Sequence, residues 1–162
     1  MVTIYNLINT LLDNESFKSN VKFSIKKFKP NEKILEQGKD HSFFYLIKKG
    51  QVRIIVNSEI KEENLSIHPG IVDLSENDIF GEFELFDDLP ASADVVTVVE
   101  SELVEIDIDS FRNYLENNSQ IGYKLLFSIL KILVSRLRRA DKTIFNLFLW
   151  GIKVKKIDKD LD

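Results

Sequence analysis

Between Lys61 and Arg112 the chain runs for 50 residues with fifteen Asp or Glu and no Lys or Arg. An anion site built from this stretch alone has no cationic partner. Two histidines, His41 and His68, lie far apart and form neither an HxH nor an HxxxH pair, so a multi-histidine metal centre is not expected. The absence of Cys excludes thiolate metal sites, cysteine catalysis and a disulfide framework. No G-x-S-x-G element supports a serine nucleophile, and Gly81-Glu82-Phe83-Glu84-Leu85 offers none. His41, between Asp40 and Ser42, reads as a solvated loop residue, and Trp150 as a packing residue. The expectation is a non-enzyme with no catalytic residue and no metal.

The elements that must position any site follow from length and period. At 162 residues, 44% hydrophobic and 30% charged, the chain reads as one domain able to bury a core. Its net charge of −4 conceals two unlike parts: +6 from Ile121 to Asp162 and −10 before it. No apolar run spans a membrane, and the N-terminus lacks a basic region and a cleavage site, so a cytoplasmic protein is expected. The basic tail is weak evidence for a polyanion partner.

Ile4, Leu7, Ile8, Leu11 and Leu12 have helical spacing over residues 2–13. Past Pro30 short strands follow: 34–37, a hairpin of 43–47 and 51–56 around Lys49-Gly50, then strands near Leu65 and at 71–74. Residues 57–63 read as a polar loop. Strands at 94–99 and 102–107 come next; in the second, Val104 and Ile106 face one way while Glu105 and Asp107 face the other. Ser110 caps a short helix to about Glu116, and Ser119 opens a long one to about Trp150. Along it Leu126, Leu130, Leu133, Leu137, Ala140, Ile144 and Leu147 form a 4-3 seam that predicts a helix-to-helix homodimer, leaving Phe127, Ile129, Phe145 and Phe148 for the barrel. The fold expected is mainly β with flanking helices: an eight-stranded antiparallel jelly roll with an N-terminal helix and a long C-terminal helix. One domain covers 1–162, with a helical part at 1–30, the jelly roll at 31–109 and helices at 110–162.

The segment ILEQGKDHSFFYLIKKGQVRIIV and the later DLSENDIFGEFELFDDLPASADVVTVVESELVEIDIDSF resemble the cyclic-nucleotide-binding domain of catabolite-activator-type regulators. The resemblance runs from about Ile34 through the long helix. Gly38, Gly50 and Gly81 fall at the family's turn glycines, and Asn77 stands where another glycine is usual. The resemblance implies a phosphate cassette opening at Phe80-Gly81-Glu82-Phe83 and closing at Pro90-Ala91-Ser92-Ala93. It makes Glu82 the ribose contact and Ser92 a hydroxyl donor.

The cassette departs from the family where charge matters. Ala91 stands at the position of the family's phosphate-pairing Arg, a contact of roughly 1.5–3 kcal/mol. Carboxylates at Glu84, Asp87, Asp88 and Asp94 would repel an anion if they faced the pocket. Arg53 is the one candidate for a substitute cation, although a strand Arg is more often an outer-face residue. The ligand implied, cAMP or cGMP, is expected to bind weakly or not at all. The function expected is a non-enzymatic regulatory protein acting through its helical dimer; a ligand-independent protein-interaction module on the same scaffold stays open. Only a dozen residues follow the long helix, so no specific DNA binding is expected, and no membrane contact.

Overall fold

The computed structural model describes residues 4–56, 58–60, 65–67 and 71–159. They divide into two compact units, Met1–Ser119 and Gln120–Asp162. His68 lies outside the described residues.

The first unit opens with two helices, α1 (Ile4–Leu12) and α2 (Glu15–Asn20), the second N-capped by Asn14, whose side chain accepts from Phe17 N. Ten strands follow: β1 (Phe23–Phe28), β2 (Lys33–Leu35), β3 (Phe43–Lys49), β4 (Gln51–Ile55), β5 (Ser58–Ile60), β6 (Leu65–Ile67), β7 (Ile71–Ser75), β8 (Ile79–Phe80), β9 (Asp94–Thr97) and β10 (Ser101–Asp107). A short helix α3 (Glu84–Asp87) interrupts them, and α4 (Ile108–Asn117) closes the unit. Eight strands form two four-stranded sheets in the orders β1-β10-β3-β8 and β2-β9-β4-β7, a jelly roll; β5 and β6 pair separately.

Three strands were not foreseen. β1 lies within the expected helical part at 1–30. Among the described residues it pairs with β10 alone and keeps most side chains in solvent, although Val21, Phe23 and Ile25 alternate with Lys22, Ser24 and Lys26. β5 falls in the expected polar loop, and β8 is two residues long. The short helix begins at Ile108, and its N-cap is Asp107, whose carboxylate accepts from Ser110 N at 2.9 Å.

Two cores sit on opposite faces of β3. Phe44 and Leu46 turn toward the helices, where the Phe44 and Phe111 rings lie 4.9 Å apart and Phe17 meets Tyr114 edge-on at 5.1 Å. Tyr45 and Ile47 turn into the jelly roll, beside Leu35, Val52, Leu74, Phe80, Val95 and Leu103. Glu105 shares that inward face with Leu103 and is only 7% exposed, not the solvent-facing carboxylate expected from alternation. Lys26 at 2.8 Å and the Tyr45 hydroxyl at 3.3 Å compensate its charge. Burial, followed by the Glu105 charge, holds the Tyr45 phenol well above its usual range.

The second unit contains α5 (Ser119–Lys159) from Gln120 onward; the helix has 41 residues and is about 60 Å long at 1.5 Å per residue, longer than the helix to Trp150 that the spacing predicted. Of the seam residues, Leu126, Leu130, Leu137, Ala140, Ile144 and Leu147 are exposed and Leu133 is partly buried. Ile129 is buried, but Phe127, Phe145, Phe148 and Trp150 are exposed, against the expectation that they pack. No helix among the described residues is long and apolar enough to cross a membrane.

Candidate functional site

Phe80 ends β8 with its ring stacked on Tyr45, 4.9 Å between centroids and 12° between planes. That core anchor holds the start of the cassette. Gly81 follows at φ +72°, where a Cβ would lie 3.3 Å from both Leu35 Cδ1 and the Phe43 carbonyl and 3.5 Å from His41 Cε1. A left-handed backbone and this crowding both demand glycine. Asn77, at φ 76°, makes the preceding left-handed turn and donates its N–H to Ile47 O at 2.9 Å.

From Gly81 the chain passes through buried Glu82 and exposed Phe83 into α3, and leaves it at Asp88 in a left-handed conformation. Pro90 and Ser92 are exposed, while Ala93 is buried. Ala91, to which the resemblance assigns the arginine's place, is 7% exposed and belongs to the jelly-roll core. Its backbone is also committed: Ala91 N donates to Lys39 O at 3.0 Å and Ala91 O accepts from Gly38 N at 2.8 Å.

The carboxylates expected to repel an anion have other occupations. Asp94 pairs with Lys33 at 3.1 Å and accepts from Gln37 N at 2.8 Å. Asp88 meets Arg112 Nη2 at 2.8 Å. That same nitrogen donates to Glu84 O at 3.1 Å and Leu85 O at 3.4 Å, tying α4 to the cassette helix. Glu84 Oε2 is buried without a hydrogen bond and lies 3.1 Å from His41 Nδ1, whose nearer acceptor is Phe43 O at 2.9 Å. The contact with Glu84 is therefore one of charge when the imidazole is protonated. His41 has a side chain only 11% exposed, which corrects its reading as a solvated loop residue. Asp87 alone of the four forms no ion pair among the described residues and stays exposed.

Arg53, named as the candidate substitute cation, is engaged with Asp73. On β4, Val52 and Ile54 turn to the core and Arg53 to the outer face. There it holds Asp73 through two hydrogen bonds, at 2.7 and 2.9 Å. Sequence reasoning missed Arg112, although it ends the cation-free stretch and was visible as the next available positive charge.

A sequence model of the cyclic nucleotide-binding domain matches residues 25–118, from β1 through α4. The chain belongs to the cyclic nucleotide-binding domain family. Over 114 residues this domain is 27% identical to a CRP-like cAMP-activated global transcriptional regulator of Mycobacterium tuberculosis, covering 70% of this chain and 47% of that one. A cyclic nucleotide-binding domain from Methylobacillus flagellatus aligns with a TM-score of 0.65 at 22% identity, over 84% of this chain and 77% of that one. The catabolite activator protein of Thermus thermophilus aligns at 0.61 and 20% identity, over 87% and 58%. These likenesses show the same jelly-roll fold with its long C-terminal helix.

One expectation is overturned by the comparison. The exclusion of specific DNA binding rested on the short stretch after the long helix. The chain spans about half the length of the curated relatives it matches, and those relatives are transcriptional regulators. The shortness of that stretch is therefore no ground for setting DNA aside.

Proposed function

We propose that this cyclic nucleotide-binding domain is a non-enzymatic regulatory module that binds cAMP or cGMP weakly or not at all and acts through pairing of α5 between two copies. The observation that carries the reading is Ala91: its side chain is packed in the core, and both its backbone groups are bonded to Gly38 and Lys39. A cyclic monophosphate carries a negative charge whose burial requires a cation or several donors. The pairing is supported by the exposed 4-3 row along α5. The regulated output we infer is transcription, because the curated relative is a transcriptional regulator.

Calorimetric titration of the unmodified protein with cAMP and cGMP tests the first half, a dissociation constant well above micromolar being expected. Sub-micromolar binding would reject it. Light scattering of Leu133→Asp/Leu137→Asp tests the second: monomers are expected from a dimeric parent, and a parent that is itself monomeric at high micromolar concentration rejects it.

The packing also favours a ligand-independent reading on the same scaffold. Arg112 holds the cassette helix with the chain's own guanidinium, and His41 stands 3.1 Å from Glu84. A cassette positioned this way needs no ligand to order it.

A further inference from the structure

The distal part of α5 carries more exposed apolar surface than one partner helix covers. Between Lys142 and Lys153 lie ten residues without a charge, seven of them large and apolar. All seven are between 39% and 66% exposed. At about 100° per residue they occupy roughly 260° of the helix circumference, from Trp150 round through Ile144 to Leu149. A two-stranded pairing along the 4-3 seam takes up Ile144 and Leu147. Phe145, Phe148, Leu149, Trp150 and Ile152 stay outside that seam and need another apolar neighbour. The remaining strip is basic. Arg138, Arg139, Lys142 and Lys153 are exposed and fall within about 100° of one another, on the side that holds Asn146. Among the described residues, no ion pair involves Arg138, Arg139 or Lys142.

We propose that this segment lies in the interface of an anionic lipid membrane, its apolar arc among the acyl chains and its basic strip at the headgroups. A broad apolar face bearing Trp, Phe and Leu beside a strip of Lys and Arg is the pattern of helices that lie on membranes. Ten residues extend for about 15 Å, half of a hydrocarbon core of about 30 Å, so the segment rests in the interface and does not cross. The expectation of no membrane contact rests on the lack of a spanning run, which does not bear on such a helix. Charge complementarity selects the occupant. Residues 136–142 hold four Lys or Arg against one Asp, and residues 153–162 four Lys against three Asp. Both flanks are positive, so a second pair of these helices would set like charge against like, whereas anionic headgroups neutralise both. The site stands apart from the helical dimer and from nucleotide binding.

Trp150 is the only tryptophan in the chain, so its fluorescence reads this segment alone. The full chain is mixed with phosphatidylcholine vesicles, with and without an equal share of phosphatidylglycerol. Binding about tenfold stronger to the anionic vesicles is expected. Trp150 emission should move to shorter wavelength and be quenched by lipids brominated in their acyl chains. Phe148→Glu/Ile152→Glu, outside the seam, should abolish the quenching, and Arg138→Glu/Arg139→Glu/Lys142→Glu should weaken binding by about tenfold. Equal binding to both vesicle types, or none to either, overturns the proposal. Sedimentation with anionic vesicles without quenching shows headgroup attraction alone and overturns the insertion. Emission already at short wavelength in buffer, from a particle larger than a dimer, assigns the arc to further copies of the chain and overturns the membrane. Retention on duplex DNA that the charge reversal abolishes, without vesicle binding, assigns the strip to a polyanion and overturns it equally. Each of these outcomes leaves the nucleotide titration and the dimer test untouched.

Discussion

Arg112 Nη2 donates to Asp88 Oδ1 at 2.8 Å across 24 residues of sequence. Through the carbonyls of Glu84 and Leu85 the same guanidinium also satisfies the end of α3, a helix of four residues. Helices this short do not persist on their own hydrogen bonds, so outside partners must hold them. The cassette is thus attached to α4, the element that leads into α5.

Arg112→Ala should loosen the cassette selectively. Losing contacts to two carbonyls and a carboxylate on a partly exposed residue costs about 1–2 kcal/mol. Hydrogen exchange of the amides from Gly81 to Asp88 should accelerate while that of β3 and β10 holds. Uniform acceleration would show that Arg112 supports the whole unit instead.

Ala91→Arg should lower stability by about 1–3 kcal/mol, because the site is 7% exposed and packed among core side chains. If the family's phosphate site lies there, cAMP or cGMP should recover several degrees of Tm in this variant and none in the parent. Thermal melts with and without nucleotide decide this. Asp94→Thr is a poor companion change, since Asp94 holds Lys33 and Gln37 N.

Gly50→Ala should be among the most damaging single changes in the first unit. At φ +100° a Cβ would collide with Ser101 Oγ and lie 2.8 Å from Glu100 O and Ser101 Cα. Backbone strain plus displacement of main chain should cost roughly 2 kcal/mol or more. An equal urea midpoint for variant and parent would contradict the turn geometry.

The Arg53–Asp73 pair should add acid sensitivity without touching ligand binding. The hydrogen bond from Arg53, aided by its charge and opposed by desolvation, holds the Asp73 carboxyl below its ordinary value of 3.8. A folded value below the unfolded one means stabilisation that is complete above the ordinary value and lost as pH falls through the lowered one. The stability gap between parent and Arg53→Ala should therefore be present at about pH 6 and shrink toward about pH 2. A gap that is constant with pH would contradict this.

What the sequence by itself determined were features written in single residues and short spacings. Gly38, Gly50, Gly81 and Asn77 all adopt the positive φ that their residue types and turn positions implied. The β3–β4 hairpin and the long helix were equally legible, because local backbone constraint depends on no distant partner. The tertiary structure decided everything set by what lies opposite. Glu105 faces inward because Tyr45 and Lys26 are there to receive it. Asp94 and Arg53 are bound by Lys33 and Asp73, which only folding brings close to them. His41 and Arg112 reached the cassette by folding, since separations of 43 and 24 residues from Glu84 and Asp88 leave no periodic trace in the chain.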